Sequence, residues 1–119
     1  GKTILLAEDD LSNYKYLYDV LHKANANVVW VKNGESAVEA CMNNDKIQMV
    51  LMDIHLPKMN GFEATRRINK LGKMIPVIAQ TAFAMSGDEQ KCYDAGCVDY
   101  IAKPIIPSIL LAKIAKNLK

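Results

Sequence analysis

The chain has 119 residues and a mass of 13.2 kDa, and its 15 Lys+Arg against 13 Asp+Glu leave a formal net charge of +2 at pH 7. That length suits one domain, with a folded surface near ~6,400 Å² against ~19,000 Å² unfolded, so roughly two-thirds of the surface is buried on folding. With 50% apolar and 24% charged residues disorder is excluded, no apolar run approaches the ~20 residues that span a bilayer, and +2 is too small for a purely electrostatic grip on nucleic acid.

Apolar runs rich in β-branched residues alternate with amphipathic stretches from one end to the other, which predicts five βα units. The first strand is expected at 3–7 and is followed by a helix whose apolar stripe is Tyr14, Leu17, Tyr18 and Leu21. A second strand at 27–31 leads into a helix marked by Val38 and Cys41, and a third at 48–52 into one marked by Ala64, Ile68 and Leu71. The fourth strand falls at 76–80 and the fifth at 98–101, the last helix carrying Leu111, Ile114 and Leu118. Continuous apolar character suits strands buried on both faces of a parallel sheet. Asn60 with Glu63, and Ser86 with Glu89, have capping-box spacing, and Gly72 and Gly96 sit where helix stops belong. The fourth helix, about 86–95, has the weakest stripe, which marks it as a candidate moving part. No linker, low-complexity tract or signal peptide appears, so residues 1–119 are expected to form a single soluble, cytoplasmic α/β domain.

Cys41, Cys92 and Cys97 fit no zinc pattern and are expected to be small buried hydrophobes or unpaired thiols. His22 and His55 likewise lack metal-ligand spacing.

Open parallel sheets gather functional groups at the carboxyl ends of their strands. Here Glu8, Asp9 and Asp10 follow strand one, Asp53 follows strand three, Thr81 ends strand four, and Lys103 and Pro104 follow strand five. A cluster of Glu8, Asp9 and Asp53 repels itself unless protons or a cation intervene. All-oxygen carboxylate ligands favour Mg²⁺ over zinc. These parts fit phosphoryl transfer onto a carboxylate: Asp53 as nucleophile, Mg²⁺ and Lys103 neutralising the transferring oxygens, and Thr81 reading the product. Alone, each has a bland reading as a cap, a turn hydroxyl or a surface lysine; the combination carries the chemistry.

Taken together, EDD at 8–10, MDIHLPKMNG at 52–61, TA at 81–82 and YIAKP at 100–104 resemble the receiver domain of two-component response regulators. The motifs stand in the right order, 44 residues separating Asp9 from Asp53, 28 more reaching Thr81 and 22 more Lys103. The resemblance implies an open five-stranded parallel sheet of order 2-1-3-4-5, the flavodoxin-like (βα)5 receiver fold. It also implies Asp53 as phosphoacceptor, with Glu8 and Asp9 holding Mg²⁺ and Asp9 doing so more directly. His55 would contribute its backbone carbonyl to the metal. Thr81, Ala82 and Tyr100 match the switch positions, Lys103 the site lysine, and the Lys103–Pro104 peptide is cis in many relatives. Phe83 and His55 would flank the phosphoryl group and tune its lifetime.

PVIAQTAFAM and AGCVDYIAKPI look most like receivers of hybrid histidine kinases. The implied donor is a histidine kinase domain or a histidine phosphotransfer protein, since neither His22 nor His55 looks like a phosphohistidine. No direct nucleic-acid or membrane contact is expected, and a phosphorylation-dependent dimer is compatible with the family. Such a domain is a switch that promotes its own phosphorylation and dephosphorylation rather than a turnover enzyme. Alternatives are a stand-alone or transcription-factor receiver, or a pseudo-receiver that keeps the scaffold without the chemistry. A flavodoxin-like cofactor binder is disfavoured because the six glycines form neither a P-loop nor GxGxxG. A small phosphohydrolase is disfavoured because there is no room for a cap domain.

Overall fold

The computed structural model describes residues 2–82 and 87–118. Strands β1 (Thr3–Ala7), β2 (Asn27–Val31), β3 (Ile47–Asp53), β4 (Val77–Thr81) and β5 (Asp99–Ala102) alternate with helices along the chain. The helices are α1 (Leu11–Lys23), α2 (Gly34–Asn43), α3 (Gly61–Lys70), α4 (Asp88–Ala95) and α5 (Pro107–Asn117). The strands pair in parallel in the order β2-β1-β3-β4-β5. Parallel neighbours need long crossovers, and the intervening helices supply them on both faces of the sheet.

Side chains alternate across a strand, so each strand feeds two cores. On one face Leu5, Ala7, Val50, Met52, Val77 and Ala79 pack with Ala37 and Cys41 of α2 and Ala64 and Ile68 of α3. On the other, Ile4, Leu6, Met49, Leu51, Ile78 and Ile101 pack with Leu17 and Leu21 of α1 and Leu110 and Ile114 of α5. The accessible surface is 6441 Å², close to what area scaling gives for a folded chain of this mass.

Strands one and two fall where the apolar runs predict. The other three extend past those runs, because Asp53 pairs in register with Gln80 and Thr81 with Ala102. Backbone pairing thus carries polar residues to the carboxyl edge, while Pro76 and Val98 stay outside the strands. Of the predicted capping boxes, Asn60 does accept the Glu63 N–H at 3.0 Å, but the Glu63 carboxylate turns to Arg67 at 2.9 Å instead of closing the box. Ser86 lies outside the described residues; the residue preceding α4 is Gly87, with a left-handed φ of 84°. Gly96 ends α4 with φ 106°, a conformation that disfavours any side chain. All three cysteines are buried and outside any disulfide, and His22 stacks on Tyr18. No helix among the described residues is long and apolar enough to cross a membrane.

Candidate functional site

Alternation along β1, β3 and β4 puts Glu8, Asp53 and Gln80 on the face that also carries Leu6, Leu51 and Ile78. Continuing past the ends of the strands, Glu8 and Lys103 bring a carboxylate and an ammonium to the same carboxyl edge. Glu8 is held there because its N–H donates to Val31 of the neighbouring strand at 3.0 Å. The Lys103 N–H donates to the Thr81 carbonyl at 2.8 Å, which fixes the turn after β5 against the end of β4; the Lys103–Pro104 peptide is cis.

Ligand oxygens of Glu8, Asp9 and Asp53 all lie within 4.8 Å of one another. Glu8 and Asp53 are buried and Asp9 is exposed, so the cluster opens to solvent on one side. Lys103 Nζ stands 3.0 Å from Asp53 Oδ2 and 3.8 Å from Glu8 Oε1. The other Asp53 oxygen, Oδ1, accepts the His55 N–H at 2.9 Å, while the His55 side chain is exposed. Burial pushes the Glu8 carboxyl above its ordinary pKa and the Asp53 charge adds to the rise, against hydrogen bonds from Asn13 and the Asp10 N–H. Burial alone would lower the Lys103 ammonium, but the bond to Asp53 and the charges of Asp53, Glu8 and Asp9 outweigh it and raise its pKa. The donor set is hard, anionic and all oxygen, which suits Mg²⁺.

Behind the site, Gly61 closes the turn from β3 by donating its N–H to Ile54 at 3.1 Å. A Cβ there would stand 2.6 Å from both the Asp53 carbonyl oxygen and the Ile54 Cα, so a backbone approach too close for any side chain supports the acidic residue. Thr81 is buried at the end of β4 and Ala82 follows it, exposed, at the rim. Tyr100 is half-buried, edge-on to Tyr93 at 6.3 Å, with Lys113 Nζ 5.5 Å from its ring centroid. The structure thus brings Glu8, Asp9, Asp53 and Lys103 together, with Thr81 at the neighbouring strand end and Tyr100 one strand over. Phe83 lies outside the described residues.

Two participants carry no motif. Asn13, in the first turn of α1, donates Nδ2 to Glu8 Oε1 and, at 3.3 Å, to Gln80 Oε1. Gln80 is fully buried next to Asp53 in register. The available signal was the polar break at the end of the run VIAQ, which counts towards strand length and so passes as an ordinary strand residue.

An open 2-1-3-4-5 sheet with an acidic cluster and a lysine at its carboxyl edge defines the class of two-component receivers. The sequence matches the response regulator receiver domain family over residues 4–115, and the chain belongs to that family. It is 36% identical over 119 residues to the hybrid signal transduction histidine kinase M of Dictyostelium discoideum, covering 95% of this chain but 5% of that protein. It is 36% identical over 106 residues to the polar-differentiation response regulator DivK of Brucella anthropi, covering 87% of this chain and 85% of DivK. Among solved structures it resembles the receiver domain of a Pseudomonas aeruginosa sensor histidine kinase with magnesium coordinated in the active site cleft, at 34% identity and TM-score 0.91, covering 98% of this chain and 97% of that one. It also resembles the complex of the Saccharomyces cerevisiae histidine phosphotransfer protein Ypd1 with the receiver domain of Ssk1, at 27% identity and TM-score 0.90, covering 98% and 88%. The chain is a two-component receiver related to those of hybrid histidine kinases.

Proposed function

We propose that residues 1–119 form one phosphoacceptor domain that takes a phosphoryl group from a phosphohistidine onto Asp53 and passes the change to the face built from α4, β5 and α5. The observation that carries this reading is the nearly buried Asp53 carboxylate, held between the His55 N–H at 2.9 Å and the Lys103 ammonium at 3.0 Å beside two further acids. An idle carboxylate in such company would be costly; a nucleophile needs it oriented and partly neutralised.

In the transfer, an Asp53 oxygen bonds to phosphorus as the P–N bond of the donor imidazole breaks, and the released nitrogen takes a proton from solvent. Lys103 meets the negative charge on the transferring oxygens. Glu8, Asp9 and Asp53, with the His55 carbonyl, would hold Mg²⁺, which when bound neutralises the same oxygens. Thr81 then donates its hydroxyl to the phosphoryl group, and Ala82 leaves the approach open. Inward movement of Thr81 gives the Tyr100 ring room to turn, which reshapes the α4-β5-α5 face.

His22 stacks on Tyr18 at the far end of α1, and His55 serves the site through its backbone, so the donor lies on another domain or chain. Similarity to hybrid kinase receivers, and to a receiver bound to a histidine phosphotransfer protein, supports a cytoplasmic hybrid-kinase setting with such a protein or a kinase domain as donor. Beryllofluoride tests the reading, because it mimics a phosphoryl group on a carboxylate. With Mg²⁺ it is expected to shift the backbone NMR signals of Asp53, Thr81, Tyr100 and Lys103; unshifted signals would overturn the assignment.

A further inference from the structure

We propose that Asn13 and Gln80 are positioning residues that hold the Glu8 carboxylate in its metal-binding orientation; the inference rests on reading Glu8, Asp9 and Asp53 as a Mg²⁺ site. Glu8 is fully buried, and its side chain has one more rotatable bond than an aspartate would need to order. Both of its oxygens are held: Oε2 accepts the Asp10 N–H at 3.2 Å and Oε1 accepts Asn13 Nδ2. The Asn13 amide has two N–H groups, and its second acceptor is Gln80 Oε1 at 3.3 Å. Reversing that amide would set its carbonyl oxygen against both the carboxylate and the Gln80 carbonyl, so Glu8 and Gln80 together favour the orientation in which Asn13 donates.

Gln80 itself is expensive. It is fully buried, its register partners are Asp53 on one side and Ile101 on the other, and its Nε2 finds no hydrogen-bond partner among the described residues. Leucine there would remove the unpaired Nε2, at the cost of the acceptor Asn13 uses, so the amide is a poor choice for packing alone. Among the described residues its side chain hydrogen-bonds to Asn13, and alignment of Asn13 is the role this leaves it. A second clamp restrains the same region: Tyr14 stacks on Trp30 at 3.7 Å and 7°, and Trp30 Nε1 donates to the Glu8 carbonyl at 2.8 Å. The first turn of α1 and the Glu8 backbone are thus tied together, leaving the amide pair to set the carboxylate.

The test is an NMR titration of the metal-free domain with Mg²⁺ alone, on the native protein, Asn13→Ala, Gln80→Leu, Glu8→Ala and Glu8→Ala/Asn13→Ala. Partners that orient metal ligands typically change affinity 10–100-fold, so Asn13→Ala is expected to weaken Mg²⁺ binding about tenfold. It should cause no further loss in the Glu8→Ala background. Gln80→Leu is expected to weaken binding severalfold while melting no lower than native, a combination that a packing role would not produce. Native-like affinity in Asn13→Ala and Gln80→Leu, or equal losses with and without Glu8, would overturn the inference. A native protein that fails to respond to Mg²⁺ would overturn the metal-site reading itself, and the positioning role with it.

Discussion

The Lys103 ammonium lies 3.0 Å from Asp53 Oδ2 and 3.8 Å from Glu8 Oε1, a positive charge set against the clustered carboxylates. Its raised pKa means the stabilising contribution is complete below the unfolded value and disappears only as pH rises through the folded one, well above neutrality. Lys103→Met should therefore destabilise the metal-free domain at pH 7 by about 1–2 kcal/mol, less than for a fully buried pair because the lysine is partly exposed. Added Mg²⁺ should recover much of that loss by binding the folded state. Urea unfolding with and without Mg²⁺ measures both, and a metal-free variant as stable as native would refute the pairing.

Gly61 has no room for a methyl group against the Asp53 carbonyl and Ile54 Cα. Gly61→Ala is expected to cost about 2–3 kcal/mol, with the backbone behind Asp53 displaced to relieve the overlap. The matching signature is a change in the Asp53 and Ile54 amide signals in a still-folded protein. A thermal midpoint equal to native would mean the β3–α3 turn yields freely.

Burial alone would raise the Asp99 carboxyl, yet the hydrogen bond from Lys113 at 2.9 Å, the Tyr100 N–H and the charges of Lys113 and Lys116 outweigh it and lower its pKa. A carboxylate lowered in the folded state stabilises above its unfolded pKa of about 3.9, and the contribution is lost as pH falls through the lower folded value. Lys113→Met should cost about 1–2 kcal/mol at pH 7, with the gap to native closing in acid. Parallel unfolding curves from neutral pH to below pH 3 check this; a gap independent of pH would assign the loss to packing instead.

Burial pushes the Cys41 thiol up to about 11 from the ordinary 9.0, and its side chain is fully enclosed. Two pH units leave about a hundredfold less thiolate at pH 8, before any loss of access is counted. Cys41 is expected to resist alkylation in the native domain and to react readily in urea, as read by peptide mass mapping. Rapid native-state labelling would show that the α2 face opens.

Much of the fold was legible because buried parallel strands spell continuous apolar runs and amphipathic helices separate them. Strands one and two needed no adjustment, and Leu17 and Leu21, or Ala64 and Ile68, face the sheet as their spacing predicts. The ends of β3 and β4 were less legible, because ladder pairing carries Asp53 and Thr81 into strands that hydropathy would stop earlier. The half-formed box at Asn60 reflects a local contest that spacing cannot decide: Glu63 is also four residues from Arg67, and the guanidinium won. Charged site residues stood out at strand ends, where an acid after an apolar run is conspicuous. Asn13 and Gln80 did not, since a neutral amide in a helix or a strand signals nothing until a third residue is brought beside it.

Intact-mass spectrometry after incubation with acetyl phosphate, with and without Mg²⁺, tests the central claim most directly. The expected result is one Mg²⁺-dependent phosphoryl adduct on the native domain that is absent from Asp53→Asn. An adduct that persists in Asp53→Asn, or none on the native domain even under rapid quenching, would contradict phosphoryl acceptance at Asp53.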